Sequence, residues 1–198
     1  MNQAALIEQR RQSTSFLWLV LALVWVVSAL RNIRTKRTIQ SQSSTWQLLY
    51  TVILVVGVYL IFAKQIGIPW LDRQLFSVTV PIVLTGLLAV LLGVVFSVWA
   101  RLMLGDNWSN RVTVKENHTL VRSGPYRIVR HPIYSGILLG MLGSALQRGG
   151  IRCFVGVLIC GFSFWLKTRV EERFMVQSFG EEYLQYCHKV KALAPFIF

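Results

Sequence analysis

The residues that could bind a ligand or take part in catalysis lie in two polar segments of the second half of the chain. The first, residues 118–136, contains Arg127, Arg130, two histidines and two tyrosines, and Pro132 suits the first turn of a following helix. Free N–H groups and the helix dipole at such a position favour an anion. We therefore predict a site for a carboxylate or phosphate. The alternative is that Arg127 and Arg130 contact only lipid headgroups.

The second polar segment, residues 169–173, carries two adjacent acids, Glu171 and Glu172. Adjacent residues point about 100° apart on a helix, so we expect only one of them to face a given site. An alternative is that both merely stabilise the start of a helix through its dipole. The histidines and acids lack the spacing of metal ligands, so no metal site is expected. The sequence also has no GxSxG motif and no glycine-rich phosphate loop.

The elements that must position these segments are membrane helices. Of 198 residues, 54% are hydrophobic and 15% are charged, and the mean hydropathy is +0.52. A soluble domain carries about 25% charged residues. We predict an all-α, polytopic integral membrane protein with about five transmembrane helices and a polar C-terminal cytoplasmic region. We expect no ionisable residue within the spans, which disfavours a transporter or channel. The apolar runs that predict these helices are 16–30, 46–63, 75–100, 133–146 and 151–166.

The charges predict the topology. Lys and Arg number 21 against 8 Asp and Glu, and the apolar runs between them favour a membrane surface over nucleic acid. Fifteen of the 21 fall in residues 31–45, 101–132 and 167–198, which five spans would bring to one side. The positive-inside rule then predicts an N-terminus outside and a C-terminus and active site in the cytoplasm.

We expect two regions. Residues 1–100 form an N-terminal three-helix membrane region, in which the spacing of Gly86 and Gly93 predicts close helix packing. Residues 101–198 form a catalytic region made of a cytoplasmic loop, a helical hairpin over 133–166 and C-terminal helices. Gly180 interrupts an apolar stripe that begins at Arg169, so we expect two short helices there, the second starting at Glu181.

Both polar segments resemble the isoprenylcysteine carboxyl methyltransferase family. The strings that carry the resemblance are HTLVRSGPYRIVRHPIYSG at 118–136 and EERFMVQSFGEEYLQY at 171–186. They are also similar to the phospholipid methyltransferases of the same membrane superfamily. The resemblance covers about residues 105–198, whereas the N-terminal spans match only in hydropathy.

The resemblance implies S-adenosyl-L-methionine as the cofactor, a C-terminal cytoplasmic cofactor-binding region and a set of site residues. Where the eukaryotic enzymes carry an arginine near the substrate carboxylate, this chain has Lys167, with Arg169 two residues later. The choice between these two stays open, and a lysine would lose bidentate recognition of the carboxylate. With Arg130 they are the predicted catalytic residues. The implied cofactor-binding residues are His118, Thr119, Leu120, Val121, Tyr126, His131, Pro132, Ile133, Tyr134 and Glu171.

The expected reaction is O-methylation of the carboxylate of an isoprenylcysteine-type or other lipophilic substrate, free or as a prenylated protein. A sulfonium methyl group is already activated, so transfer needs alignment and a dry site more than a strong base. One alternative is N-methylation of a phospholipid amine headgroup, which needs a base and acidic residues near the acceptor. The other is a non-catalytic membrane protein that retains the fold. The partners expected are the lipophilic substrate and membrane lipids, with no nucleic acid and no metal.

Overall fold

The computed structural model describes residues 3–32, 38–41, 44–105, 113–115 and 120–194. These residues are mostly helical, as predicted. Two short strands, β1 (Thr38–Ser41) and β2 (Thr113–Lys115), pair antiparallel, and a 3-10 turn covers Gly124–Arg127. The helices are α1 (Gln3–Asn32), α2 (Ser44–Phe62), α3 (Val80–Leu104), α4 (Pro132–Arg148), α5 (Ile151–Phe179) and α6 (Glu181–Lys189).

Four helices of the described chain are long and apolar enough to cross a membrane: α1 over Gln12–Leu30, α2, α3 and α5. With 17 residues, α4 is shorter than these four. It nevertheless connects the two ends of the bundle. The amide of His131, just before α4, donates to Ala192 O (3.0 Å), and the carbonyl of Gly149, just after it, accepts from Leu75 N (2.8 Å). Because α4 is shorter than the four candidate spans, a fifth transmembrane helix stays a prediction.

The loops group at two opposite ends of the bundle. At one end β1, between α1 and α2, pairs with β2, between α3 and α4. The C-terminal segment joins them there, because Val129 pairs with Lys191. These are the three loop regions with fifteen lysines and arginines, so the described parts of all three share one end as the charge count predicts. Which end faces the cytoplasm stays a prediction, as does the division of the chain at residue 100.

Glycines bring α3 and α4 into backbone contact. A Cβ added to Gly86 would lie 2.6 Å from Gly143 O, and one added to Gly93 would lie 2.3 Å from Gly136 O. In a membrane, helices associate through such close van der Waals packing rather than through the hydrophobic effect. The close packing predicted from the glycine spacing is therefore confirmed, and it fixes the helix whose first turn carries His131 and Tyr134.

The C-terminal helices differ from the expectation. α5 continues without a break to Phe179, so the short helix expected from Arg169 is the last part of α5. No glycine or proline interrupts residues 162–179, and the charges that begin at Lys167 mark an end of the apolar region, not of the helix. α6 begins at Glu181, as predicted, after Gly180 with φ of 54°. The link between α4 and α5 is only Gly149 and Gly150.

The expectation that no span contains an ionisable residue is wrong. Arg152, in the first turn of α5, is 8% exposed. Its guanidinium donates to Leu60 O (2.8 Å) and Lys64 O (2.9 Å), and its Nε lies 3.2 Å from Asp72 Oδ1. A buried charge requires such a partner and hydrogen bonds. Arg152 thus ties the α2–α3 loop to α5 at the end opposite the predicted site.

Candidate active site

Five polar side chains meet where the loop before α4 approaches the C-terminal part of α5. We call Arg130, His131, Tyr134, Glu171 and Glu172 the carboxylate cluster. The first three come from the junction between the 3-10 turn and α4, with His131 as the N-cap residue. The two glutamates come from α5. The two polar segments predicted from the sequence therefore meet in space.

The ring of His131 lies between the two glutamates. Its Nδ1 is 3.2 Å from Glu171 Oε2, and its Nε2 is 3.3 Å from Glu172 Oε1. Both nitrogens can donate only when the ring is protonated. Burial lowers the pKa of His131, but hydrogen bonds and the charges of both carboxylates outweigh it and hold the pKa above its ordinary value. The expectation that only one glutamate faces the site is wrong, because the two contact opposite sides of one ring.

Arg130 binds Glu172 with a forked contact. Its Nε and Nη2 donate to Glu172 Oε1 at 2.8 Å and 2.6 Å. Its Nη1 donates to two backbone carbonyls, those of Cys187 (3.2 Å) and Val190. Guanidinium–carboxylate pairs of this kind are strong and directional. Each nitrogen of the group predicted as catalytic therefore donates to a protein partner.

Glu171 lies against a stack of rings. Tyr134 OH donates to Glu171 Oε1 at 2.5 Å. The Tyr134 ring is stacked between His131 (centroids 5.8 Å, 12° between planes) and Phe164 (4.9 Å, 11°). Each oxygen of the Glu171 carboxylate has one of these partners and can accept a further hydrogen bond. Its carboxylate therefore has the capacity to bind an additional donor group.

Lys167, not Arg169, extends toward the cluster. The Nζ atom of Lys167 lies 5.1 Å from the ring centre of Tyr134 and 5.5 Å from that of Tyr50 on α2. Contacts of an ammonium with aromatic faces are attractive at these distances. Arg169 is exposed and lies over Trp165, itself 44% exposed. Of the two predicted carboxylate-binding residues, the structure brings only Lys167 beside the cluster.

The other predicted cofactor-binding residues do not belong to the carboxylate cluster. Tyr126 is buried and donates its hydroxyl hydrogen to Ala100 O at 3.3 Å. Pro132 and Ile133 are buried, Ile133 in one apolar cluster with Tyr126, and Leu120 and Val121 are half-buried. His118 and Thr119 lie outside the described residues. The roles of all these residues stay predictions.

Sequence reasoning missed three features of the site. Phe164 lies on the same face of α5 as Lys167 and Glu171, so helical spacing was a usable signal. Tyr50 had no local signal, since it belongs to an apolar span far away in the sequence. The backbone carbonyl groups of the C-terminal segment had no sequence signal either, because every residue has a carbonyl group.

A cavity of about 450 Å³ lies at the opposite end, lined by Gln74, Phe76, Ser77, Val78 and Arg148. It is remote from the carboxylate cluster and shares no residue with it. Among residues 3–32, 38–41, 44–105, 113–115 and 120–194, no group of three His, Cys, Asp or Glu side chains could hold a metal ion.

Comparison with known proteins decides the family. A family model described as phospholipid methyltransferase matches residues 81–182, which is more than half of the chain and includes the whole carboxylate cluster. The chain belongs to the phospholipid methyltransferase family. The predicted membership of this membrane superfamily is thereby confirmed.

Named relatives within this superfamily are isoprenylcysteine methyltransferases. The chain is 36% identical over 115 residues to the protein-S-isoprenylcysteine O-methyltransferase of Xenopus laevis, covering 57% of this chain and 40% of that protein. It is 28% identical over 115 residues to protein-S-isoprenylcysteine O-methyltransferase B of Arabidopsis thaliana, covering 57% and 58%. The chain thus spans about half the length of the curated relatives it matches.

A solved structure is also similar to this chain. The structure of the eukaryotic intramembrane Ras methyltransferase ICMT (isoprenylcysteine carboxyl methyltransferase) matches with a TM-score of 0.55 and 26% identity, over 76% of this chain and 53% of that one. Together with the four apolar helices, this likeness identifies the chain as an integral membrane protein.

Proposed function

We propose that this chain catalyses S-adenosylmethionine-dependent methyl transfer to the carboxylate of a lipophilic substrate of the isoprenylcysteine type, free or attached to a protein. The observation that carries the proposal is the carboxylate cluster itself, within the stretch that matches the methyltransferase family. The names of the relatives support a prenylcysteine acceptor.

The residues present fit the cofactor. S-adenosylmethionine carries a sulfonium and an ammonium group, which favour carboxylates and aromatic faces. Glu171 can accept further hydrogen bonds, and the rings of Tyr134 and Phe164 adjoin it. We infer that these residues, with His131, hold the cofactor. When bound, it supplies an activated methyl group.

The residues of the chain then have positioning and electrostatic tasks. A protonated His131 can donate to both glutamates and hold them on either side of its ring. Tyr134 fixes the orientation of the Glu171 carboxylate through a short hydrogen bond. Transfer to a carboxylate oxygen releases no proton, so no general base is required. Alignment in a site shielded from water supplies the rate enhancement.

Lys167 is the residue that we assign to the acceptor. Together with Arg130 and a protonated His131 it gives three positive charges against two carboxylates, so the site then has an excess of positive charge. This balance favours an anionic acceptor. The ammonium group lies one helical turn from Glu171, between the rings of Tyr50 and Tyr134. It would therefore bind the acceptor carboxylate close to the cofactor.

A second candidate is N-methylation of a phospholipid amine headgroup. It is favoured by the description of the matching family model and by the two glutamates, which could attract a cationic headgroup. The same glutamates are already paired with Arg130, His131 and Tyr134. We therefore rank the carboxylate acceptor first.

Transfer of a radiolabelled methyl group distinguishes the candidates. Purified protein would be incubated with labelled S-adenosylmethionine and either N-acetyl-farnesylcysteine or phosphatidylethanolamine vesicles. We expect a base-labile methyl ester on the farnesylcysteine. A base-stable label on the phospholipid alone would establish the second candidate. Absence of transfer to either by protein that binds the cofactor would contradict both acceptor assignments.

A further inference from the structure

The C-terminal residues 190–194, which we call the C-terminal strap, lie along the loop that carries Arg130 and His131. The amide of Arg130 donates to Lys191 O (2.8 Å), and that of His131 donates to Ala192 O (3.0 Å). Ser135 Oγ donates to Leu193 O at 2.5 Å. The strap thus adds to the loop as a short parallel strand does, starting at the pairing of Val129 with Lys191.

Arg130 connects the strap, α6 and α5 through one side chain. Two of its nitrogens bind Glu172 of α5, and the third binds the carbonyls of Cys187, in α6, and Val190, in the strap. The side chain of Arg130 is 11% exposed, and that of Glu172 is 17% exposed. A planar guanidinium can satisfy such divergent partners at once, whereas an ammonium group cannot reproduce the fork.

We propose that Arg130 is a positioning residue: it clamps Glu172 to the C-terminal strap, so that Glu172 holds one side of the His131 ring while Glu171 stays oriented for its ligand. This assignment rests on the proposed function for its catalytic meaning. It replaces the catalytic role predicted from the sequence, because all the donor nitrogens of Arg130 are engaged with Glu172 and carbonyl groups.

Under this proposal, the pKa of His131 depends on whether Arg130 holds Glu172 in place. The titratable groups that contact His131 are Glu171 and Glu172 of α5 and Tyr134 of α4. Arg130 precedes His131 in the chain, and Lys167 of α5 lies beside Tyr134 and Glu171. If Arg130 acted only through its charge, its removal would raise the pKa of His131, since a nearby cation disfavours protonation. If Arg130 holds Glu172 in place, its removal frees this carboxylate and the pKa of His131 falls. The two roles predict opposite signs.

The test is an NMR titration of histidine-labelled protein in detergent, with the His131 signal assigned by its loss in His131→Gln. We expect Arg130→Gln to lower the pKa of His131, and Arg130→Lys to lower it as well despite the retained charge. Arg122→Gln is the matched control, because Arg122 forms an exposed ion pair with Glu182 of α6 (2.8 Å) and lies outside the cluster. We expect it to leave the pKa of His131 unchanged.

Hydrogen exchange provides a second readout that requires no titration. The amide hydrogens of Arg130 and His131 should exchange at least about tenfold faster in Arg130→Lys than in the wild type, because the strap is released. An unchanged or raised pKa of His131 in Arg130→Gln, or unchanged exchange in Arg130→Lys, would overturn the proposal. If Arg130→Gln does not fold, Arg130→Lys provides both readouts.

Failure of this inference is distinguishable from failure of the proposed function. Neither readout needs methyl donor or turnover, so both report on the clamp even if the wild type binds no cofactor. Where the wild type does bind S-adenosylmethionine, Arg130→Lys should weaken that binding by about tenfold, the effect of one lost charge-assisted hydrogen bond. Wild-type affinity in this variant would contradict the positioning role.

Discussion

At the scale of single residues, the chemistry depends on how charged groups are paired around His131. Arg130 is paired with one oxygen of Glu172, while Glu171 has one partner on each oxygen and Lys167 lies against aromatic faces. Glu171 and Lys167 both adjoin the Tyr134 ring, so we assign ligand binding to these two groups. Predictions at this scale distinguish the role of Lys167 from that of Glu171.

Lys167 should affect the acceptor more than the cofactor. Lys167→Ala removes the ammonium group that we assign to the acceptor carboxylate, so the KM for N-acetyl-farnesylcysteine should rise about tenfold or more. The affinity for S-adenosylmethionine should change far less. Arg169→Ala is the control, because this exposed side chain lies over Trp165 and away from the cluster. A larger KM effect in Arg169→Ala would reverse the assignment.

The charge of His131 should make stability depend on pH in a defined direction. The pKa of His131 is raised in the folded protein above its ordinary value of 6.5, so the folded state binds the proton more tightly than the unfolded state. The resulting stabilisation is fully present below pH 6.5 and is lost as the pH rises through the folded-state pKa. Thermal unfolding of wild type and His131→Gln from about pH 6 to about pH 9 measures it. The difference in Tm should shrink with rising pH, and a constant difference would contradict the prediction.

At the scale of helices, the packing of α3 against α4 determines where the first turn of α4 lies. The contact is made by backbone atoms at Gly86, Gly93, Gly136 and Gly143. Backbone contacts cannot move aside as a flexible side chain can. Any side chain added here must separate the two helices.

Gly93→Ala should therefore destabilise the protein and reduce methyl transfer together. The new Cβ would lie 2.3 Å from Gly136 O and 2.7 Å from Gly140 N, so α4 must shift, at a cost of about 1 to 3 kcal/mol. Gly161→Ala is the matched control, since its nearest neighbour would be Leu138 Cδ2 at 3.9 Å. Thermal unfolding in detergent compares the two. Equal Tm values for both variants would contradict the packing argument.

Hydropathy predicted these helices well but their ends poorly, for a physical reason. Within lipid every backbone group must be satisfied internally, so an uncharged run of sufficient length forms a helix. A charged residue ends the apolar run but does not end a helix, and α5 therefore continues past Lys167 to Phe179. Arg152 shows the same limit at the other end, because its partners lie far away in the sequence, at the end of α2 and in the loop that follows it.

The site was predictable only where its residues form local strings. His131, Tyr134 and Glu171 lie in the two motifs, and the structure brings them together. Tyr50 comes from a different span, and the strap contributes backbone carbonyls that carry no sequence signature. Such contacts follow from tertiary packing, which spacing along one segment cannot reveal.

At the scale of the whole molecule, loops with different charge lie at opposite ends of one helical bundle. The end that carries the carboxylate cluster gathers the described parts of the loop regions richest in lysine and arginine. The other end is tied by Arg152 and Asp72. From the positive-inside rule we predict that the cluster end faces the cytoplasm.

Cysteine labelling in intact cells tests this orientation. In a Cys187→Ser background, Arg73→Cys should react with a membrane-impermeant maleimide from outside. Arg127→Cys should react only after permeabilisation, because it lies at the cluster end. Both positions are exposed, and Cys153 and Cys160 are buried. Labelling of Arg127→Cys in intact cells without labelling of Arg73→Cys would show the reverse orientation.

The central claim, that the carboxylate cluster binds a methyl donor, is tested most directly by calorimetric titration of S-adenosylmethionine into detergent-purified protein. We predict saturable binding by the wild type and its loss in Glu171→Ala, with Arg122→Gln binding as the wild type does. No binding by folded, monodisperse wild type, or unchanged affinity in Glu171→Ala, would contradict the account.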